Sequence, residues 1–179
     1  MSITKRINNG LAAFVLAAAT VTSSIILPQT ASAFAGGDGT SGNPYQIANC
    51  AQLDGMDDND TDLDKHFMLV DDIDCQSVAM PPIGVTMAGA VKFTGVFDGN
   101  DKTISNVALN TFSQGTGLFW ATDGATITDL TIDNITAEGE DNVGALAGQT
   151  EGGAIENVHV TSGSVSSSTD WGDNFGGLW

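Results

Sequence analysis

One six-residue pattern occurs three times in this chain of 179 residues. Each copy has an isoleucine, two polar or small residues, an aliphatic residue, one spacer and a second aliphatic residue. The copies are ISNVAL at 104–109, ITDLTI at 127–132 and IENVHV at 155–160. Patterns that recur at intervals of about 20 to 50 residues are typical of solenoids, in which each unit buries its apolar face against the next. The sequence therefore favours a repeating coil.

A short apolar unit precedes each copy and begins a fourth time near the end of the chain. GVF starts at Gly95, GLF at Gly117, ALA at Ala145 and GLW at Gly177. The intervals between these units are 22, 28 and 32 residues, whereas the following isoleucine always comes nine or ten residues later. Solenoids accommodate insertions in their loops in this way. Because the fourth unit stops early, we expect the chain to be a fragment, followed by further repeats of the same chain.

Each copy also indicates a bend between two short strands. The two aliphatic residues alternate with a spacer and share one face of a strand, but the isoleucine three positions earlier has the opposite parity. The residue at the bend is Asn106, Asp129 or Asn157, and these residue types tolerate left-handed backbone conformations. The pattern predicts an all-β fold, a right-handed parallel β-helix.

The aliphatic positions of the three copies predict the core of this β-helix. The expected columns are Ile104, Ile127 and Ile155 in the first, Val107, Leu130 and Val158 in the second, and Leu109, Ile132 and Val160 on the same face as the second. Each column should step from one turn to the next at the spacing of neighbouring strands, about 4.8 Å.

The first 33 residues have the layout of a secretory signal peptide. Lys5 and Arg6 precede an uncharged apolar stretch at 11–27, and Ala31, Ser32 and Ala33 suit a cleavage site. A retained membrane anchor is the alternative, but the hydroxyl residues and the proline of the stretch favour cleavage. We expect the mature chain to be secreted or to lie at the cell surface, without insertion into the membrane.

The charge of this mature chain limits its partners. Without residues 1–33 it has three lysines and no arginine against 22 carboxylates, a formal charge of −19. Such a surface repels phosphate backbones and anionic lipids, so nucleic acid is not an expected partner. Solubility in a salt-exposed environment explains the acidity. No cofactor is predicted, although calcium is compatible with this surface.

The densest acidic run is DDNDTDLD at 57–64. Its candidate calcium ligands are Asp58, Asp60, Asp62 and Asp64. A helix-loop-helix calcium site would need glycine where Leu63 stands and glutamate where Leu69 stands. A solvated acidic loop is therefore the favoured interpretation.

Cys50 and Cys75 are the only cysteines of the chain. An even pair in an exported protein predicts a disulfide, which would stabilise the fold by about 3 kcal/mol in the chain-entropy account. Residues 34–92 are predicted to form an N-terminal cap and the first rung, tied together by this bond. Residues 93–179 are predicted to form the repeats.

Five segments, taken in order, resemble the secreted bacterial and archaeal proteins that carry GLUG repeats. They are GGDGTSGNPYQIANCAQL, FMLVDDIDC, PPIG, FTGVFDGNDKTISNVALN and GALAGQTEGGAIENVHV. The resemblance extends from Gly36 to Trp179 and implies a right-handed parallel β-helix in a large, adhesin-like surface protein. It implies a passive stalk or binding scaffold and supplies no catalytic residues.

The functional hypothesis is a non-catalytic exported module for adhesion or scaffolding, with a glycan or a protein as its unidentified ligand. A carbohydrate-active β-helix enzyme, either a hydrolase or a lyase, is one alternative. The missing arginines argue against lyase chemistry on acidic sugars. The aspartates available for a hydrolytic pair lie mostly in turns: Asp98, Asp101, Asp123, Asp129 and Asp133. A calcium-stabilised structural repeat is the second alternative.

Overall fold

The structure is a computed structural model, which describes residues 34–58, 61–86, 89–110 and 115–168. The predicted signal peptide, Asp60 and the unit at Gly177 lie outside these residues. The described part is nearly all β and coils into a parallel β-solenoid of about three turns. This confirms the predicted all-β parallel coil, whereas its right hand stays a prediction.

The strands are short except for two that run around corners of the coil. In chain order they are β1 (Tyr45–Ile47), β2 (His66–Leu69), β3 (Ile73–Asp74), β4 (Ala79–Met80), β5 (Val85–Thr86), β6 (Gly89–Ala90), β7 (Val96–Asn110), β8 (Phe119–Asp123), β9 (Thr126–Gly139), β10 (Ala147–Glu151), β11 (Ala154–Val160) and β12 (Gly163–Ser167). A helix, α1 (Cys50–Asp54), and a 3-10 turn, Gly55–Asp57, follow β1.

One sheet extends through the coil in the order β1-β2-β7-β9-β11, and each neighbouring pair is parallel. The short strands β3 and β4 pair with later parts of β7, and β12 pairs with the later part of β9. A second parallel sheet, β8 with β10, forms another face. The antiparallel hairpin of β5 and β6 precedes β7.

Single left-handed residues form the corners. Asn106, Asp129 and Asn157 have φ values of 54°, 53° and 54°, which confirms the predicted bends. Asn134, five residues after Asp129, has a φ of 53° as well. Strand β9 therefore turns two corners, and the short polar side chains of asparagine and aspartate adopt this conformation at low cost.

Aromatic side chains fill the first turns of the core. Phe67, Phe97 and Ile127 are fully buried and follow one another in register from β2 to β7 to β9. The rings of Phe93 and Phe119 stack with centroids 4.8 Å apart, and the ring of Phe97 meets Phe119 edge-on at 5.6 Å. Each rung thus buries its apolar residues against the rungs on either side of it.

The predicted columns are correct between β9 and β11 but wrong between β7 and β9. Ile127 pairs with Ile155, and Leu130 pairs with Val158. Ile104, however, pairs with Ile132 rather than with Ile127. The other aliphatic residues of its copy are displaced in the same way along β9.

The cause of this error is a second copy of the pattern inside β9. Val107 pairs with Ile135 and Leu109 with Ala137, so ISNVAL lies against IDNITA at 132–137 and not against ITDLTI at 127–132. Both segments have the same spacing of apolar residues around an asparagine or aspartate. The earlier part of β7 occupies the place opposite ITDLTI, and the register shifts between Asp98 and Lys102.

Burial also differs from the prediction in the last described turn. The predicted core residues of β7 and β9 are buried: Ile104, Val107, Leu109, Ile127, Leu130 and Ile132. In β11, by contrast, Ile155 is 48% exposed. Val158 and Val160 are only partly buried. The reason is that, within the described residues, β11 is the final strand of its sheet and has a neighbour on one side only.

Cys50 and Cys75 form the predicted disulfide, with Cα atoms 5.2 Å apart. Cys50 begins α1, where the Asn49 side chain caps the helix by accepting a hydrogen bond from the Gln52 N–H at 3.0 Å. Cys75 directly follows β3. The bond therefore joins the single α-helix of the described residues to the first turns of the coil.

Candidate functional site

Two rows of polar side chains link successive turns at the corners, and we call them corner ladders. The first consists of Asp74, Asn106 and Asn134: Asn106 Nδ2 donates to Asp74 Oδ1 at 2.8 Å, and Asn134 Nδ2 donates to Asn106 Oδ1 at 2.7 Å. In the second, Asn157 Nδ2 donates to Asp129 Oδ1 at 2.9 Å. The predicted corner residues thus act twice, by bending the chain and by bonding one turn to the next.

The carboxylates of this region are hydrogen-bond acceptors of the fold. The Asn106 amide and the Gln76 backbone N–H hold the pKa of Asp74 below its usual range. Hydrogen bonds from the Thr161 and Ser162 hydroxyls, both 2.7 Å long, lower the pKa of Asp133. A catalytic general acid needs a raised pKa. These two carboxylates are therefore suited to accepting hydrogen bonds within the fold and not to acting as a general acid.

A lysine connects three turns on another face of the coil. Lys92 Nζ lies 2.7 Å from Glu151 Oε2 and 3.6 Å from Asp123 Oδ2. The hydrogen bond from Lys92 and its charge lower the pKa of Glu151. All three side chains are partly or largely exposed. The two ion pairs therefore connect the turns but add little to the free energy of unfolding.

The other aspartates considered for hydrolysis lie within strands, most of them at bends. Asp98 Oδ1 accepts the Asn100 N–H at 2.7 Å, and Asp101 has a left-handed φ of 56°; both lie in β7 where its register against β9 shifts. Asp129 belongs to a corner ladder, and Asp123 ends β8 beside Lys92.

The acidic run at 57–64 contains a core side chain. Leu63 is buried, while Asp62 and Asp64 flank it, and Lys65 Nζ donates to Asp64. Asp58 lies exposed at the end of the 3-10 turn. No three His, Cys, Asp or Glu side chains form a possible metal site within residues 34–58, 61–86, 89–110 and 115–168. Calcium binding at this run stays a prediction.

Asp57 is a carboxylate whose role the sequence did not reveal. Its Oδ2 accepts the Gly84 backbone N–H at 2.7 Å and so ties the 3-10 turn to the loop before β5. Burial is the main cause that raises the pKa of Asp57 to about 6, with smaller contributions from the charges of Asp54 and Asp58. The sequence predicted a solvated loop for this run. A local pattern could not indicate the hydrogen bond of Asp57, because its partner lies 27 residues away in the chain.

A shallow groove lies beside the disulfide, between α1 and the segment that follows β3. Val78, which is 66% exposed, lines it together with Met80 and the disulfide cysteines. Asp54 and Asp74 contribute carboxylates to the same groove. It is a surface of mixed polarity and contains no nucleophile with an adjacent base.

Comparison with known proteins places this solenoid in a family. Residues 51–162 match the family described as M26 IgA1-specific metallo-endopeptidase N-terminal region. The chain belongs to this family. The match extends from α1 to the end of β11 and so includes most of the described solenoid.

Two relatives resemble the chain over much of its length. Halomucin of Haloquadratum walsbyi is 37% identical over 116 residues, which are 63% of this chain and 1% of halomucin. A Gly-rich membrane protein of Evansella cellulosilytica is 38% identical over 143 residues, which are 74% of this chain and 16% of that protein. The chain therefore spans only a small part of either relative. No solved structure matches it.

These comparisons bear on two expectations from the sequence. Neither relative is named as an enzyme. The family that matches is the M26 N-terminal region, and the resemblance to GLUG repeats stays a prediction.

In the described part of the chain, no helix has the length and apolar character needed to cross a membrane.

Proposed function

We propose that this chain is a non-catalytic segment of an exported surface protein and serves as a scaffold in adhesion. The observation that carries the proposal is the use of its polar side chains. Asn106, Asn134 and Asn157 bond from turn to turn. An enzyme would in addition need polar groups that converge on a cleft. The bonding pattern suits a rigid, extendable support.

The electrostatics of the aspartates favour a scaffold over a glycosidase. A glycosidase needs two carboxyl groups on either side of the scissile bond, one of them with a raised pKa. Asp133 and Asp74 have lowered pKa values and accept hydrogen bonds within the corners. Asp57 has a raised pKa, but its carboxylate is bonded to Gly84 in the cap.

The length relationships support the same proposal. The chain matches 1% of halomucin and 16% of the Gly-rich membrane protein, as expected for one segment in a much larger protein. The disulfide supports export, because such bonds persist in oxidising compartments. The GLUG-type adhesin suggested by the sequence is the specific form that we propose, with a glycan or a protein as the ligand.

An assay on polysaccharides separates the scaffold from the enzyme. The exported chain should release neither reducing ends nor unsaturated sugars from neutral and acidic polysaccharides. The Asp57→Asn and Asp133→Asn variants are the matched controls, since they alter the carboxyl groups with raised and lowered pKa values. Product release that disappears in either variant would replace the scaffold with a carbohydrate-active enzyme.

Two further measurements test export and adhesion. Mass analysis of the chain secreted from a bacterial host should show cleavage after Ala33. Glycan and protein arrays should then show binding that survives the Asp133→Asn substitution, because we assign Asp133 to the fold rather than to a ligand. An intact N-terminus in the membrane fraction would contradict the proposed export.

A further inference from the structure

The corner at Asn134 has a sequence motif that the corners at Asn106 and Asn157 lack. Asn134, Ile135 and Thr136 form the pattern of asparagine, any residue except proline, and then serine or threonine. This is the acceptor pattern for N-linked glycans on the surface of exported proteins. Asn106 and Asn157 are followed at the same distance by alanine and histidine, where the pattern requires a hydroxyl. Of these three corners, only the one at Asn134 matches an acceptor site.

Asn134 is also more accessible than the asparagine before it in its corner ladder. Asn106 is partly buried and bonds through its amide to Asp74 on one side and to Asn134 on the other. Asn134 itself is exposed. The residue of the following turn at this corner is Ser162, whose Oγ accepts the Asn134 backbone N–H at 2.9 Å. Serine has no side-chain amide, so Ser162 does not continue the ladder over Asn134.

The side-chain amide of Asn134 can accept a sugar and keep its bond to the preceding turn. An asparagine amide nitrogen has two hydrogens. One of them makes the bond from Asn134 Nδ2 to Asn106 Oδ1, which is 2.7 Å long. A glycan replaces one hydrogen of this nitrogen and leaves the other to donate. Because the backbone is not altered, the left-handed φ of 53° at this corner is compatible with the modification.

We propose that Asn134 carries an N-linked glycan in the exported protein. The donor is an oligosaccharide linked to a lipid through phosphate, and a transferase at the membrane catalyses the transfer. Asn134 Nδ2 forms a bond to the anomeric carbon, and the bond from that carbon to the phosphate oxygen breaks. The lipid phosphate leaves with the electron pair, and one proton of Nδ2 passes to a base of the transferase. The proposal rests on the export that belongs to the proposed function.

The strand pairing around Asn134 implies that the transfer precedes folding. Ile135 and Thr136 pair with β7 on one side and with β12 on the other. A transferase could not bind this backbone without separating the strands. It therefore acts on the chain before these strands have paired. Folding then leaves the glycan on an exposed side chain at a corner, where it disturbs neither the sheet nor the apolar core.

Peptide mapping of the protein secreted by its own organism tests the proposal. An endoproteinase that cleaves before aspartate releases residues 133–140, in which Asn134 is the single asparagine. We expect this peptide to have the added mass of a whole number of sugar residues. Asn157 is the matched control: it lies in the released peptide 141–169, at an exposed corner without the acceptor pattern, and should stay unmodified.

Three variants identify the linkage. Thr136→Ala should lose the added mass, although it leaves Asn134 and its ladder bond in place. Thr136→Ser should retain the mass, because serine keeps the hydroxyl. Asn134→Gln should lose it. Mass that remains in Asn134→Gln would overturn the proposal, since the sugar would then be linked to the Thr136 hydroxyl.

An unmodified peptide 133–140 from the secreted protein would also overturn the proposal. Failure of export is distinguishable from this result, because the chain would then stay with the cells and keep residues 1–33. The sequence has the acceptor pattern once more, at 59–61, but its first two residues lie outside the described part of the structure. Modification there would not change the mass of residues 133–140.

Discussion

Strand β11 repeats the apolar pattern and the corner of the first part of β9, but the two strands lie in different environments. Ile127 and Ile155 are paired in register, yet the first is fully buried and the second is 48% exposed. The difference is that β9 lies between β7 and β11, whereas β11 has one described neighbour. A rung of this solenoid therefore buries its apolar residues fully only where rungs lie on both sides of it.

The largest expected effect is a difference in the free energy of unfolding between a substitution in β9 and the matched substitution in β11. Ile127→Ala should lower the free energy of unfolding by about 2 to 5 kcal/mol, because it leaves a cavity in a closed core. Ile155→Ala should cost less than about 1 kcal/mol, because its side chain is half exposed. Urea unfolding of both variants measures the difference. Equal losses would mean that β11 is as well covered as β9.

Removal of the disulfide tests the stability of the first turns of the coil, at the end opposite to β11. The double variant Cys50→Ala, Cys75→Ala should lose about 3 kcal/mol, since the bond restricts the unfolded chain. Hydrogen exchange should accelerate most in the first turns of the coil, around Phe67, and least in β11. Reduction of the unsubstituted chain is the control and should reproduce the loss. A uniform change along the coil would show that its turns unfold as one unit.

The corner ladders predict a smaller effect. Asn134→Ala should cost about 1 to 2 kcal/mol, because alanine disfavours the left-handed backbone and cannot bond to Asn106. Asn134→Gly should lose less, since glycine keeps the backbone conformation and lacks only the hydrogen bond. Asn157→Ala tests the same substitution in the outer turn. Thermal unfolding distinguishes the variants, and equal stability of the alanine and glycine variants would exclude backbone strain as the cause.

The last expected effect is a dependence of stability on pH around Asp57. The pKa of Asp57 is raised from 3.8 to about 6, so the folded state binds its proton more tightly than the unfolded state does. The resulting stabilisation is fully present below pH 3.8 and is lost as the pH rises through about 6. Asp57→Asn should flatten this part of the stability profile, measured by urea unfolding between these pH values. An unchanged slope would assign it to other carboxylates.

The sequence by itself determined the local geometry of this protein. Alternation of aliphatic residues marked the strands, and asparagine or aspartate marked the corners, because both depend on the preferences of a few neighbouring residues. The positive φ values of Asn106, Asp129 and Asn157 agree with those expectations. The disulfide also followed from the cysteine count, since a chain with two cysteines has one intramolecular pairing available.

Only the tertiary structure decided which turns lie against each other. ISNVAL in β7 has the spacing to pair with either ITDLTI or IDNITA in β9. It pairs with IDNITA, because the earlier part of β7 already lies against ITDLTI, with Phe97 opposite Ile127. The tether from Asp57 to Gly84 and the exposure of Ile155 have the same origin. Pairing register and burial depend on groups that are 27 or more residues apart in the chain, and a local pattern that occurs twice within β9, five residues apart, cannot distinguish between them.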